Sequence, residues 1–303
     1  MENHNTFACQ LRTLRPLRGL CVLFIFLLLA ACGHHDKYVQ QLNEANQRQK
    51  GDSLFTEVNE MKSLVDYFSR HGSANERMLA HYLLGRAYAD SGEAPMAIDC
   101  YLKAAECADT TQADCNYRQL SRVYSQMANI YYWQDMYKEQ IHYGDIAAQY
   151  ALIANDTMAY LAILECKVDA FKEQNLQDSA LKLTQYIAEQ YTKRKDYKNA
   201  AITQFESVSI LIKQKRLSEA KHHIKEYREF SHYFDSNDDI EAGREIFYSI
   251  IGNYYLNSNQ MDSAEYYYRK GIKTSIGLQS KNSANYGLMI YFQDRSAISW
   301  SRK

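Results

Sequence analysis

The chain has 303 residues, of which only two are proline and 12 are glycine, so residues that break helices are scarce. No run of alternating apolar and polar residues extends beyond a few positions, and this pattern predicts an almost entirely helical protein. The formal net charge is −1, which argues against a nucleic-acid-binding protein, because such proteins need a strong basic excess.

The N-terminus has the layout of a secretory signal. A basic segment precedes an apolar run over 20–29, and two alanines and Cys32 follow it. Residues 29–32, Leu-Ala-Ala-Cys, resemble a bacterial lipobox, in which the cysteine carries a diacylglycerol and becomes the first mature residue. We therefore expect residues 1–31 to be a lipoprotein signal peptide. Cys32 is the predicted lipidation site, whose acyl chains, such as palmitate, hold the protein on a membrane.

The residue after the cysteine bears on the destination. Gly33 stands there rather than an aspartate, which by the enterobacterial sorting rule resembles an outer-membrane lipoprotein. The expected location is the bacterial cell envelope, with a lipid anchor in the outer membrane or on the periplasmic face of the inner membrane.

Two helical segments precede the best repeat. Residues 32–51 are predicted to form a tether and a first helix, and residues 52–76 a further helix that lacks the small residues of the repeat. In the latter, apolar residues from Leu54 to Phe68 recur at alternating spacings of four and three. We interpret 52–76 as a degenerate N-terminal cap that covers the exposed face of the first repeat.

The segment Arg77–Asp109 has the clearest pattern in the chain. It carries, at the spacing of a known motif, His81, Leu84-Gly85, Tyr88, Gly92, Ala97, Tyr101 and Ala104. This pattern resembles a tetratricopeptide repeat (TPR), a pair of antiparallel helices. Gly85 and Ala97 are expected where the two helices cross closest, with tyrosines beside them, and Gly92 in the turn.

Four further pairs follow in register. Aligning Gly85 with Ala128, Val168, Val208 and Gly252 gives periods of 43, 40, 40 and 44 residues, longer than the usual 34 or so. We predict five TPR-like helix pairs over 77–276, which resemble a long-helix TPR lipoprotein of the Bacteroides type. The resemblance implies an all-α, right-handed superhelical solenoid of TPR-like helix hairpins. The residues expected to pack the repeats are Gly85, Tyr88, Ala97, Tyr101, Gly252, Tyr255, Ala264 and Tyr268.

The C-terminal residues break the pattern. Residues 277–303 are predicted to form an incomplete sixth repeat, in which one helix begins near Asn282 and the apolar pattern fails after Phe292. A half-repeat leaves an apolar face uncovered, which suggests that the chain is truncated from a longer parent.

The sequence shows little sign of catalytic chemistry. It has no glycine-rich phosphate loop and no familiar metal or nucleophile motif, so we expect no catalytic residue, no metal ligand and no cofactor, and not an enzyme. Two Ser-x-x-Lys matches, at Ser179 and Ser218, fall at the same repeat position and are interpreted as helix starts. Cys107 and Cys115 flank a long linker. They are interpreted either as a disulfide across that linker or as two free thiols.

The resemblance implies a groove lined by the first helices of successive pairs. Groove candidates are Tyr82, Arg86, Asn129, Tyr132, Trp133, Glu165, Asp169, Phe205 and Asn253. Chaperone-binding TPRs clamp a terminal carboxylate with Lys, Asn and Arg, but here those positions hold Tyr82, Arg86, Ala162 and Cys166, so that clamp is missing. Trp133 is either a binding hot spot or packs under the linker.

Two functions fit these observations. The first is a non-catalytic, membrane-anchored TPR scaffold that binds an unidentified protein or peptide in its concave groove. The alternative is the extracytoplasmic input domain of a truncated TPR signalling or transcription regulator. The DNA downstream of the chain distinguishes them, because the second requires further coding sequence.

Overall fold

The computed structural model describes residues 35–51 and 53–278. The leader, Cys32 and nearly all of the predicted sixth repeat lie outside these residues. Within them the chain is all-α, as predicted, and the one β feature is an isolated bridge between Phe234 and Ile240. No helix in the described ranges combines the length and the apolar character that crossing a membrane requires.

The helices are numbered in chain order. They are α1 over 35–48, α2 Val58–His71, α3 Ala74–Asp90, α4 Ala94–Glu106, α5 Tyr117–Trp133, α6 Tyr137–Ile153, α7 Thr157–Glu173, α8 Gln177–Lys193, α9 Tyr197–Phe205, α10 Val208–Lys213, α11 Leu217–Phe230, α12 Ile246–Asn257 and α13 Met261–Leu278. The chain divides into two compact units, the first ending at Tyr160 and the second beginning at Leu161. Each is described separately below.

The N-terminal cap differs from the expectation at both ends. The helix α2 begins at Val58, several residues after the predicted start, and it buries Met61, Leu64 and Phe68. The next helix begins at Ala74, before the predicted 77, because Ser73 and Glu76 form a capping box. The Ser73 hydroxyl accepts from the Glu76 amide (3.3 Å), and the Glu76 carboxylate accepts from the Ser73 amide (2.7 Å).

The first pair, α3 and α4, is built around one close approach in the first unit. A Cβ placed on Gly85 would lie 2.5 Å from a carbon of the Tyr101 ring, so only glycine leaves room for that ring. Tyr101 and Ala97 are fully buried beside it. The predicted small and aromatic positions therefore meet at the helix crossing.

The last pair, α12 and α13, repeats this contact in the second unit. A Cβ on Gly252 would collide with the ring of Tyr268, which is fully buried, as is Ala264. The Tyr268 hydroxyl donates to the Asn253 side-chain oxygen at 2.9 Å. The first and last pairs thus use the same packing, but the Tyr101 hydroxyl is buried without a hydrogen-bond partner in the described part of the chain.

The second pair is held by a row of half-buried tyrosines. Tyr117, Tyr124 and Tyr131 are seven residues apart on α5 and alternate with Tyr150 and Tyr143 of α6. The four neighbouring ring pairs have centroids 5.3 to 6.3 Å apart and planes within 16°. Offset stacking of this kind adds about 0.5–1.5 kcal/mol a pair beyond area burial. The tyrosines of this pair are packing residues.

The turns that follow most helices share one geometry. A single residue with positive φ ends each helix, at Gly92, Asp135, Asn155, Asn175, Lys195, Lys215 and Asn259. Its amide bonds to the carbonyl three residues back, and the next amide bonds to the carbonyl five back, as in Met136 to Tyr131 at 2.9 Å. This is the Schellman pattern, which satisfies the last carbonyls of a helix.

The first helix of the fourth pair is interrupted. The helix α9 ends at Phe205 and α10 begins at Val208, because the Glu206 and Ser207 amides bond to carbonyls three residues back rather than four. The Ser207 hydroxyl also donates to the Gln204 carbonyl at 2.6 Å. The sequence did not predict this break, nor the non-helical stretch between α11 and α12.

Candidate functional site

The groove candidates of the first unit divide into buried and exposed residues. Tyr82 is only 3% exposed, and its ring centroid lies 6.0 Å from that of Tyr101. It is therefore a core residue, which corrects its assignment to the groove. Arg86 is largely buried as well, donating to the Gln126 side chain (2.8 Å) and pairing with Asp90 (3.1 Å).

The hairpin tip of the second pair is exposed instead. Trp133 is 82% exposed, and its ring contacts Tyr132 edge-on, with centroids 5.5 Å apart. Asn129 is exposed and Tyr132 is half-buried on the same helix. Among the described residues, Trp133 is therefore not covered by the linker, and the alternative in which it packs under that linker is wrong.

The groove candidates of the second unit lie on α7, on the interrupted helix and on α12. Phe205 is 5% exposed and lies in the floor of a pocket rather than on an open surface. Glu165 and Asp169 lie on α7, half-buried and exposed respectively. Asn253 is half-buried, and its side-chain oxygen accepts the hydrogen bond from Tyr268. Asn253 therefore helps to hold α12 against α13.

A pocket opens beside the break between α9 and α10. It has a volume of about 370 Å³ and a floor that includes three aromatic rings, those of Phe205, Tyr227 and Phe247. Phe205 stacks on Tyr227 with centroids 4.1 Å apart, and Phe247 lies within 5.7 Å of both rings. We call this cavity the α10 pocket. Its floor is aromatic and buried, as expected of a site for a large apolar side chain.

The rim of the α10 pocket is mixed in character. Ile202 and Ile250 are half-buried, whereas Ile246 is 49% exposed. The polar rim residues are Lys172, Asn175, Gln177, Glu206, Ser209, Lys213 and Arg244. The half-exposed isoleucine and the aromatic floor form an apolar surface, from which a ligand can displace water. The polar rim residues can orient that ligand.

The charges on one side of the pocket are already compensated. The Lys172 amine lies 3.0 Å from Glu206 and 3.3 Å from Asp169. Burial favours the neutral amine, but the two carboxylates outweigh it, so the pKa of Lys172 is raised and the amine stays charged. Lys172 is therefore held at the pocket wall as a cation.

A smaller cavity of about 270 Å³ adjoins this wall and shares Lys172, Ile202 and Glu206 with the α10 pocket. The half-buried acid in it is Glu165, whose pKa is raised by burial although hydrogen bonds from Thr203 and Tyr191 oppose the rise. The Thr203 hydroxyl donates to this carboxylate at 3.2 Å. The two cavities form one surface along α7, α9 and α10.

Sequence reasoning found part of this site. Of the groove candidates, Phe205 lies in the floor of the α10 pocket, and Glu165 and Asp169 line the adjoining cavity. Sequence reasoning missed Tyr227, Arg244 and Phe247, because they come from α11, from the segment before α12 and from the first turn of α12. The run Ile246-Phe247 directly after a polar loop was the available signal. The free thiols Cys100, Cys107, Cys115 and Cys166 form no disulfide among the described residues.

No protein-family model matches the chain, and no curated protein does. Solved structures do. BtubC from P. vanneervenii has a TM-score of 0.59 and 12% identity, covering 81% of this chain and 93% of its own. The apo quorum sensor NprR from B. thuringiensis has a TM-score of 0.58 and 16% identity, covering 93% of this chain and 78% of its own.

A third match is NprR in complex with its cognate peptide NprX, with a TM-score of 0.52 and 17% identity, covering 96% of this chain and 87% of that one. At such identities the likeness concerns the fold alone. Together with the helix pairs and their glycine–tyrosine crossings, it shows that the chain has the all-α solenoid fold of TPR-like repeat proteins.

Proposed function

We propose that this protein is a non-catalytic, membrane-anchored scaffold that binds an extended peptide, or a peptide-like segment of a protein, across the second unit. The observation that carries the proposal is the α10 pocket, with its stacked aromatic floor, its half-exposed Ile246 and its mixed polar rim. A large apolar side chain of the ligand enters the pocket, and the ligand backbone meets the rim.

The likeness to NprR, which has been solved with a peptide, supports this assignment. The ion-paired state of Lys172 supports a binding role over a catalytic one, since a general base works through an uncharged amine. Membrane anchoring rests on the lipobox-like sequence that ends at Cys32.

The binding proposal is tested by filling the pocket. Ser209 is exposed on the rim, and Ser209→Trp places an indole over the aromatic floor. Peptides selected from a phage-displayed random library on the unaltered protein should share a bulky apolar residue. These peptides should bind the variant at least about tenfold more weakly, which corresponds to a loss of roughly 1.4 kcal/mol in binding free energy.

The matched control is Ser179→Trp, which introduces the same ring at an exposed serine of α8 outside both cavities. This variant should bind the selected peptides as the parent does. Peptides without a shared apolar residue, or equal binding to Ser209→Trp, would show that the pocket is not the ligand site.

The anchor is tested separately by Cys32→Ser. In cells that process lipoproteins, the parent should partition into the detergent phase with acyl chains on Cys32 by mass spectrometry. The serine variant should be released from the membrane fraction, since two or more acyl chains are needed for stable anchoring. An unacylated parent would remove the membrane part of the proposal.

A second candidate function is an extracytoplasmic input domain, favoured by the likeness to a quorum sensor. Reading the gene beyond the codon for Lys303 tests it. Further helix pairs followed by a signalling or DNA-binding part would support the input domain, and an in-frame stop in the genome would favour the scaffold.

A further inference from the structure

The second unit has another concave surface, between α11 and α12, with a volume of about 480 Å³. One wall is a single face of α11, with Ser218, Lys221, His222, Lys225 and Arg228, and the other is formed by α12 and the turn after it. We call it the basic groove. It shares no lining residue with the α10 pocket.

Two lysines give the basic groove positive charge that no residue lining it compensates. Ten residues line it and none is a carboxylate. Lys221 and Lys225 are exposed, and neither forms an ion pair in the described part of the chain. Arg228 is paired with Asp238 and lies over the Phe234 ring, 5.3 Å from its centroid, so it is held in place. Cations collected on a concave surface focus a positive potential.

The floor of the basic groove is apolar. Ile224, Ile251 and Tyr254 are 9%, 2% and 8% exposed. Tyr255, half-buried, forms part of the α12 wall. A free inorganic anion would use the lysines but leave this floor unused. A ligand with both carboxylates and an apolar side chain matches both features.

The spacing of the lysines favours an extended chain. Lys221 and Lys225 are one turn apart, a rise of about 6 Å along α11. Alternate side chains of an extended peptide are about 6.6–6.8 Å apart and point the same way. Two acidic residues at alternate positions therefore face the two lysines, and the residue between them faces the α12 wall.

We propose that the basic groove docks an extended acidic segment of a partner protein, with acidic residues at alternate positions around an apolar one. The chain's own C-terminal residues are unsuited to this role. Residues 279–303 carry Lys281, Arg295, Arg302 and Lys303 against a single acid, Asp294. Charge complementarity therefore points to a different polypeptide.

The probe is a capped, fluorescein-labelled peptide with the sequence Gly-Glu-Leu-Glu-Leu-Glu-Gly, compared with its lysine counterpart Gly-Lys-Leu-Lys-Leu-Lys-Gly. Fluorescence anisotropy with the full chain should show at least about tenfold tighter binding of the acidic peptide, falling as salt is raised. The double variant Lys221→Glu with Lys225→Glu should lose about tenfold or more in affinity.

Three controls keep the result specific. Lys182→Glu reverses an exposed lysine on α8 outside the basic groove and should leave binding unchanged. The pair Lys221→Arg with Lys225→Arg should retain it. Ser209→Trp fills the α10 pocket and should also retain it, so a failure here is separable from a failure of the proposed function.

Each contrary result overturns the proposal. Equal affinity for the two peptides would remove the charge preference. Unchanged binding by the glutamate double variant, with circular dichroism showing it folded, would move the site elsewhere. Competition by inorganic phosphate as strong as by unlabelled peptide would identify a small-anion site instead of a docking surface.

Discussion

The first and last helix pairs differ from the fourth in how they fill the position where the helices cross. Gly85 and Gly252 admit a tyrosine ring of the partner helix, and both first helices are continuous there. The fourth pair has Val208 at the aligned position, and its first helix is interrupted just before that residue. The pocket lies beside the interruption and not beside the glycines.

The third pair shows that valine alone does not cause the break. Val168 occupies the aligned position in α7, which is continuous from Thr157 to Glu173. At the break, the Ser207 hydroxyl bonds the Gln204 carbonyl and lies 3.1 Å from the His223 ring nitrogen. A side chain that takes a backbone carbonyl competes with the helix ladder. The site thus lies where the local packing departs from the repeat.

The largest expected effect comes from Gly85→Val. The added atoms collide with the buried Tyr101 ring, and overpacking of this kind costs about 3 kcal/mol. Urea denaturation should show that loss in the free energy of unfolding. Adding Tyr101→Leu should recover part of it by making room. A Gly85→Val protein as stable as the parent would refute the close crossing.

A second prediction separates the two tyrosines. Tyr268→Phe removes the hydrogen bond to Asn253 and should destabilise the protein by about 1 kcal/mol. Tyr101→Phe removes a buried hydroxyl that has no hydrogen-bond partner and should be neutral or stabilising. Thermal unfolding of both variants gives the comparison, and equal destabilisation would show that the Tyr101 hydroxyl is paired after all.

The third prediction concerns pH. Burial lowers the pKa of His81 below its ordinary 6.5, with Lys103 adding to the effect. A depressed folded pKa means that the folded state disfavours the proton. Stability is therefore fully present above pH 6.5 and is lost as pH falls through the folded pKa. Urea titrations should show this decline, and His81→Phe should reduce it.

The matched histidine is His223, whose pKa burial also lowers, with His222 adding to the effect. His223→Phe should reduce the same acid-dependent loss in the fourth pair. If neither variant alters the pH profile, titration of these rings does not explain it.

The smallest effect is expected at the hairpin tip. Trp133→Ala removes a ring that is 82% exposed, so the free energy of unfolding should change by no more than about 0.5 kcal/mol. Binding of peptides selected on the α10 pocket should also be unchanged. A larger loss of stability would mean that the ring is buried in solution, and lost binding would extend the ligand site to this tip.

The sequence predicted the parts of the fold that depend on side-chain size at fixed spacing. Gly85, Tyr101, Gly252 and Tyr268 follow from the motif, because only small residues admit a ring at a helix crossing. It did not predict the start of α2, before which the Phe55 amide bonds the carboxylate of the distant Asp90. Nor did it predict the break beside Ser207, whose hydroxyl bonds the Gln204 carbonyl. Nor could it place Tyr227 and Phe247 together, since that contact joins distant elements.

The turns with positive φ have an evolutionary consequence. Asp135, Asn155, Asn175, Lys195 and Lys215 are each 20 residues from the next, and all close their helices with the same two hydrogen bonds. Recombination between two such turns that removes or duplicates a multiple of 40 residues joins one turn to a structurally equivalent turn. Genes of this type can therefore gain or lose whole hairpins in frame, without a new loop having to arise.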